Sequence, residues 1–139
     1  MRNRIIVATV IAAVGLLAAP STADAVNCSA GYSCIWRDTS YVTDGSSSQK
    51  ITFQAYIPNF GGWVYSGTAY SGANSASSAS NTGNSERVYF YDSTNCTTFA
   101  FSLAIGTGDG NLSDASGYAP AGWNNKLESG AFDSLRPSC

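Results

Sequence analysis

The chain has 139 residues, a formal net charge of −2 and no histidine, and only 12% of its residues are charged. The lack of histidine excludes Ser-His and Cys-His nucleophilic devices. The mildly acidic balance argues against nucleic acid or an anionic membrane as a partner.

Taken in chain order, Arg2 and Arg4 precede an apolar run from Ile5 to Leu17, and Ala23-Asp24-Ala25 offers a small-x-small cleavage pattern. This predicts a secretory signal peptide over residues 1–25 and one exported domain over 26–139. The apolar run falls short of the ~20 residues of a spanning helix, so no membrane association is expected after cleavage. The expected destination is extracellular.

All four cysteines, Cys28, Cys34, Cys96 and Cys139, lie beyond the leader. An even number in an exported chain predicts two disulfides. Three pairings are open, of which we favour Cys28–Cys34 with Cys96–Cys139. Zinc is disfavoured, since there is neither a C-x-x-C pair nor a histidine.

Short alternating segments predict strands over Tyr32–Arg37, Gln49–Tyr56, Trp63–Tyr65, Arg87–Tyr91, Thr97–Leu103 and Ser129–Phe132. Alternation puts Tyr32, Cys34 and Trp36 on one face, with Ile35 and Arg37 on the other. Similarly, Ile51, Phe53 and Ala55 share a face, and Phe99, Phe101 and Leu103 are expected to point inward. Ser66–Ser85, rich in Ser, Gly and Ala, is read as an ordered loop, and Gly106–Gly117 as an exposed loop. Long helical periodicity is missing, so the fold class is all-β, a sandwich or barrel.

The two halves repeat. Trp36 and Asp38 recur as Phe90 and Asp92, and Asn74-Ser75-Ala76-Ser77-Ser78 recurs as Asn125-Lys126-Leu127-Glu128-Ser129. A duplicated four-strand unit accounts for this order, and two such units packed face to face make a Greek-key sandwich.

The opening Cys28, Gly31-Tyr32-Ser33-Cys34, Ile35, Trp36, Asp38 and Tyr41 resembles that of peptidase inhibitor family I36. These are small secreted βγ-crystallin-like proteins of actinomycetes, with the Streptomyces metalloproteinase inhibitor as founding member. The Asn74–Ser78 segment is similar to the family's Asn/Asp-rich element, and Cys96 stands near a position where tyrosine is common. The resemblance implies a disulfide-stapled βγ-crystallin-like sandwich that occludes the cleft of an extracellular, thermolysin-like protease with an exposed loop. The expected state is a monomer without enzymatic activity of its own and without a required cofactor.

Calcium is the main alternative. Crystallin-like sandwiches often hold Ca²⁺ through an Asn/Asp-Asn/Asp-x-x-Ser/Thr-Ser segment in each half, and calcium takes six to eight oxygen ligands. Ala73–Ser78 keeps the serines but opens on alanine, whereas Asn124–Ser129 keeps both asparagines but has Glu128 at the fifth position. Asn74, Ser77, Asn125 and Glu128 are the candidate ligands. A carbohydrate- or surface-binding module, with Trp36, Trp63, Trp123 and the tyrosines as a stacking surface, or a toxin-like module, are further alternatives.

Overall fold

The computed structural model describes residues 27–139; the leader predicted over 1–25 lies outside them. Eight strands form two four-stranded antiparallel sheets. They are β1 (Ser33–Trp36), β2 (Ile51–Phe53), β3 (Tyr56–Ile57), β4 (Ser78–Asn81), β5 (Val88–Tyr91), β6 (Phe99–Leu103), β7 (Thr107–Asp109) and β8 (Ser129–Phe132). One sheet runs β2-β1-β4-β7 and the other β3-β8-β5-β6.

The second sheet repeats the first once β1–β4 are laid on β5–β8. In each unit the third strand leaves its own sheet and pairs along the fourth strand of the other unit: β3 on β8, and β7 on β4. The expected sandwich of two Greek-key units is therefore present, tied together by exchange of their third strands.

The core lies between the sheets. Ile35, Phe53, Phe60, Phe90, Phe101, Leu103, Leu127 and Phe132 belong to one buried cluster drawn from both halves. Phe53 sits at its centre, with ring centroids 6.1 Å from Phe60, 6.3 Å from Phe90 and 6.0 Å from Phe132. Such offset and edge-on pairs add about 0.5–1.5 kcal/mol each beyond their area burial. Gly130 makes room for them, since a Cβ there would stand 2.9 Å from the Phe53 ring.

The outer face of the first sheet carries a smaller cluster of Cys28, Cys34 and Trp36, flanked by Tyr32 and Tyr41. The alternation read in β1 thus holds, with Ile35 in the main core. The Cys28–Cys34 disulfide closes this cluster, and Cys96–Cys139 returns the chain end to the second half.

Five expectations are corrected, the first being Trp63–Tyr65, which is no strand of either sheet and carries only an isolated bridge from Val64 to Ser71. Gln49–Tyr56 is not one strand: it breaks at exposed Gln54 and Ala55, and its two parts serve different sheets. In the repeat, the match of Asn74–Ser78 with Asn125–Ser129 holds, but the aromatic strand is displaced by one residue from the match expected in the sequence. Trp36 pairs with Ser78 and Tyr91 with Ser129, so Trp36 corresponds to Tyr91, and Ile35 to Phe90. Phe99 points outward and is 53% exposed. Between Phe90/Tyr91 and Phe101/Phe99 the register shifts by one residue, and the extra residue of a bulge turns everything beyond it to the other face. Finally, the predicted loops contain β4 and β7, whose small polar residues carry no apolar alternation.

Candidate functional site

Four connections converge at one end of the sandwich: 37–50, 58–77, 92–98 and 110–128. Two serines organise them. The Ser78 hydroxyl donates to the Asp38 carbonyl at 2.7 Å and accepts from the Tyr41 N–H at 3.1 Å. In the second half the Ser129 hydroxyl donates to the Ser93 carbonyl at 2.6 Å and accepts from the Cys96 N–H at 3.1 Å. Each serine pins a turn whose last two residues are left-handed, Ser40 and Tyr41 in one and Asn95 and Cys96 in the other. Cys96 therefore occupies the place of Tyr41. Left-handed backbone is costly for side chains other than Gly, Asn and Asp, and the buried hydroxyl offsets that cost.

The predicted calcium residues lie on the next layer. Asn74 and Asn125 are both left-handed, with φ of 50° and 57°. Their N–H groups cross the pseudo-twofold axis: Asn74 donates to the Leu127 carbonyl at 3.0 Å, and Asn125 to the Ala76 carbonyl at 2.9 Å. The Asn74 side-chain amide reaches Glu128 Oε1 at 2.5 Å, so two of the four residues touch directly. Ser77 stands apart from that pair. Its N–H donates to the Trp36 carbonyl and its own carbonyl accepts from the Leu112 N–H.

Asn124 is a residue the candidate set left out. Its N–H donates to the Leu112 carbonyl, which places it beside Ser77 through the shared Leu112 backbone. Its Oδ1 is buried and has no hydrogen-bond partner. The adjacent Asn124-Asn125 pair was the available signal, but the sequence does not say which of two neighbouring asparagines serves the backbone. Ala73 holds the matching position in the first half and offers no side-chain oxygen.

The loop after β7 is built differently. Asp109 is fully buried. One of its oxygens accepts from the Asn111 N–H at 2.9 Å and the other from the Ala119 N–H at 2.8 Å. The Asn111 side chain accepts from the Ser113 N–H and hydroxyl and donates to Asp114. Asp114 in turn accepts from the Ser116 N–H and hydroxyl. These bonds, first those from Ser116, hold the Asp114 carboxyl below its usual range. Gly117 lies so close that a Cβ would come within 2.4 Å of the Asp109 carboxylate. The outcome is a loop fixed at its base, with Ala115, Ser116, Gly117 and Tyr118 exposed. Nothing in the Gly106–Gly117 sequence marks Asp109 as its buried anchor rather than a solvated charge.

The tryptophans do not form a common surface. Trp36 is fully buried and its indole N–H donates to the Ser47 carbonyl, while Trp123 packs on the core near Phe101. Trp63 is 50% exposed. A 330 Å³ cleft on the second sheet is lined by Tyr91, Cys96, Asp133, Arg136 and Pro137. Arg136 there stacks 4.1 Å from the Tyr89 ring and donates to the Tyr91 hydroxyl, so its groups already serve to hold down the chain end. Among the described residues no cluster of three or more His, Cys, Asp or Glu side chains is arranged to hold a metal, and no helix is long and apolar enough to cross a membrane. The two disulfides fit an oxidising compartment.

No family model matches the sequence, and no curated protein matches it either. Solved structures do. A structure from work on the evolution of the eye-lens βγ-crystallin domain fold is similar with a TM-score of 0.55 at 13% identity, over 77% of this chain and 89% of the other. A βγ-crystallin from Ciona intestinalis is similar with a TM-score of 0.50 at 12% identity, over 74% of this chain and 100% of the other. With its two antiparallel sheets and its exchanged third strands, the chain has a βγ-crystallin-like fold.

Proposed function

We propose that this protein is an exported peptidase inhibitor that blocks an extracellular, thermolysin-like protease by seating the loop after β7 in its cleft. The observation that carries this reading is the clamp on that loop. Binding is weakened by the entropy of ordering a loop, so a segment already fixed in one conformation binds more tightly than a flexible one of the same sequence. Here the buried Asp109 carboxylate and the Asn111–Asp114–Ser116 network fix the backbone. Tyr118, 53% exposed, supplies the one large side chain at the exposed tip for an apolar subsite. The resemblance of Cys28–Tyr41 to the inhibitor family supports the same reading and suggests the protease class. No covalent step is involved; the inhibitor acts by occupying space.

The test is residual activity of thermolysin, subtilisin and trypsin after incubation with the oxidised protein. Stoichiometric loss of thermolysin activity is expected, together with at least a tenfold weaker inhibition constant for Tyr118→Gly. Full activity of all three proteases overturns the proposal.

A second reading, calcium binding, rests on the unpartnered Asn124 oxygen. Asn124 Oδ1 and the Ser77 hydroxyl are oxygen donors of the type calcium takes and would hold the ion at one site. The opposite site fits it poorly, with Ala73 lacking a side-chain oxygen, Glu128 engaged by Asn74 and Lys126 adding a positive charge. Bound calcium would supply structural cross-linking rather than chemistry. At a hundred times its Kd it would stabilise the fold by about 2.7 kcal/mol. A melting midpoint raised by millimolar Ca²⁺ in the natural protein and unmoved in Asn124→Ala is the expected result; an unchanged midpoint in both excludes the site.

A further inference from the structure

The two disulfides sit in opposite surroundings. Cys28 and Cys34 are 9% and 0% exposed and pack with Trp36 in the outer cluster of the first sheet. The Thr82 hydroxyl also donates to Cys28 Sγ at 3.3 Å. Cys96 and Cys139 are both half-buried. Cys96 forms part of the wall of the 330 Å³ cleft, together with Tyr91, Asp133, Arg136 and Pro137.

The segment joined by the second bond is lightly held. Residues 133–139 wind into a short 3₁₀ helix over Asp133–Ser138, and none of them is buried. The start of the segment is tied down, with the Asp133 N–H on the Arg87 carbonyl at 3.1 Å and the Ser134 N–H on Glu86 Oε2 at 2.9 Å. Beyond these, the hold comes from half-buried Leu135, from Arg136 on Tyr89 and Tyr91, and from the Cys96–Cys139 bond. Freeing such a segment gives up little apolar burial, so it opens locally while the shared core stays folded. Cys96, in contrast, is fixed in its left-handed turn by the Ser129 hydroxyl. One sulfur thus belongs to a rigid cleft wall and the other to a segment free to leave.

Disulfides exchange by attack of a thiolate on a sulfur, and access decides which bond is attacked. The Arg136 guanidinium lines the same cleft, partly balanced by Asp133 at 3.3 Å. A cation in that position favours an arriving thiolate. The cleft volume lies at the lower end of the roughly 300–1,000 Å³ of small-molecule sites, which suits a small thiol rather than a folded domain. We propose that Cys96–Cys139 is an exchange site for low-molecular-weight thiols, and that its opening frees residues 135–139 and uncovers Tyr91. The incoming sulfur bonds to Cys96 Sγ as the Cys96–Cys139 bond breaks. The bonding pair leaves with Cys139 Sγ, which takes a proton from solvent. A second thiolate then displaces Cys96, so the protein bond is reduced and two small thiols are oxidised to one disulfide. No residue of the clamped loop lines this cleft, so the site is independent of the inhibitor reading.

The test is incubation of the folded, oxidised protein with reduced glutathione, trapping of free thiols with iodoacetamide, and location of both modifications by peptide mass mapping. Cys28–Cys34 serves as the internal control. The expected result is opening of Cys96–Cys139 at least tenfold faster than Cys28–Cys34, with the glutathione adduct on Cys96. The rate is expected to stay constant in urea below the unfolding transition. Hydrogen exchange after opening should show loss of protection at residues 135–139 and its retention in β1 and β4. Opening of both disulfides at one rate overturns the proposal, as does a rate that climbs with urea, since either means that the bond is reached only through global unfolding. An adduct on Cys139 alone removes the cleft from the reaction and equally overturns it.

Discussion

Ser78 and Ser129 each place one hydroxyl between a carbonyl and an N–H of a left-handed turn. Replacing either with alanine leaves a donor and an acceptor without a partner in a buried setting, which costs about 1–3 kcal/mol per group left unsatisfied. We expect Ser78→Ala and Ser129→Ala each to lower the unfolding free energy by about 2–4 kcal/mol, read from urea midpoints, and by similar amounts because the two sites are equivalent. A near-neutral Ser129→Ala would show that the second turn is held by its disulfide instead. Two tyrosines set the behaviour in alkali. Burial first, and for Tyr41 the neighbouring Asp109 charge next, push Tyr41 and Tyr65 up to about 12 from 10.0. Both keep their protons more tightly in the folded protein than in the unfolded chain. Their contribution is fully present below pH 10 and is lost as pH rises towards 12, because the unfolded chain releases its protons first. Urea midpoints are expected to fall steeply over this window and less steeply in Tyr65→Phe; an equal slope in that variant would contradict the assignment.

Among the elements, the two disulfides close loops of very different size, with sequence separations of 6 and 43. In the chain-entropy account the short ring contributes about 2 kcal/mol and the long one about 4. The Cys96→Ser/Cys139→Ser pair is expected to lose more stability than Cys28→Ser/Cys34→Ser, as read by chemical unfolding. The reverse order would mean that the outer cluster of Cys34 and Trp36 depends on its ring for packing. Strands β1, β5 and β6 were legible in the sequence because each carries bulky aromatic or branched residues, those of β6 at every second position, whereas the small residues of β8 are marked only by the terminal Phe132. Strands β4 and β7 were not, since Ser-Ala-Ser-Asn and Thr-Gly-Asp read as loop chemistry. Asn81 shows what such a segment does when buried: its side chain donates to the Glu86 and Leu103 carbonyls and accepts from the Gly83 N–H. Phe99 was misplaced because a bulge leaves no mark in a hydrophobic pattern. At the candidate site, the Asn74 and Asn125 segments were visible as a repeat, whereas the buried Asp109 and the unpartnered Asn124 oxygen arise from tertiary packing alone.

For the whole molecule, exchange of β3 and β7 means that neither half owns a complete sheet. Each disulfide nevertheless stays within one half, Cys28–Cys34 before the exposed Asn84-Ser85 connection and Cys96–Cys139 after it. The covalent link between the halves is therefore that single connection, although their shared core is extensive. Residues 27–84 and 85–139 made as separate oxidised peptides should each be unfolded, yet recover the native circular dichroism when mixed and lose it again on dilution. A fragment that folds by itself would contradict this. By the same logic, a protease that cuts at Asn84-Ser85 leaves a nicked molecule that keeps its shape at high concentration. At high concentration two intact chains also have what they need to trade halves through this hinge, giving a swapped dimer that buries the same residues as the monomer.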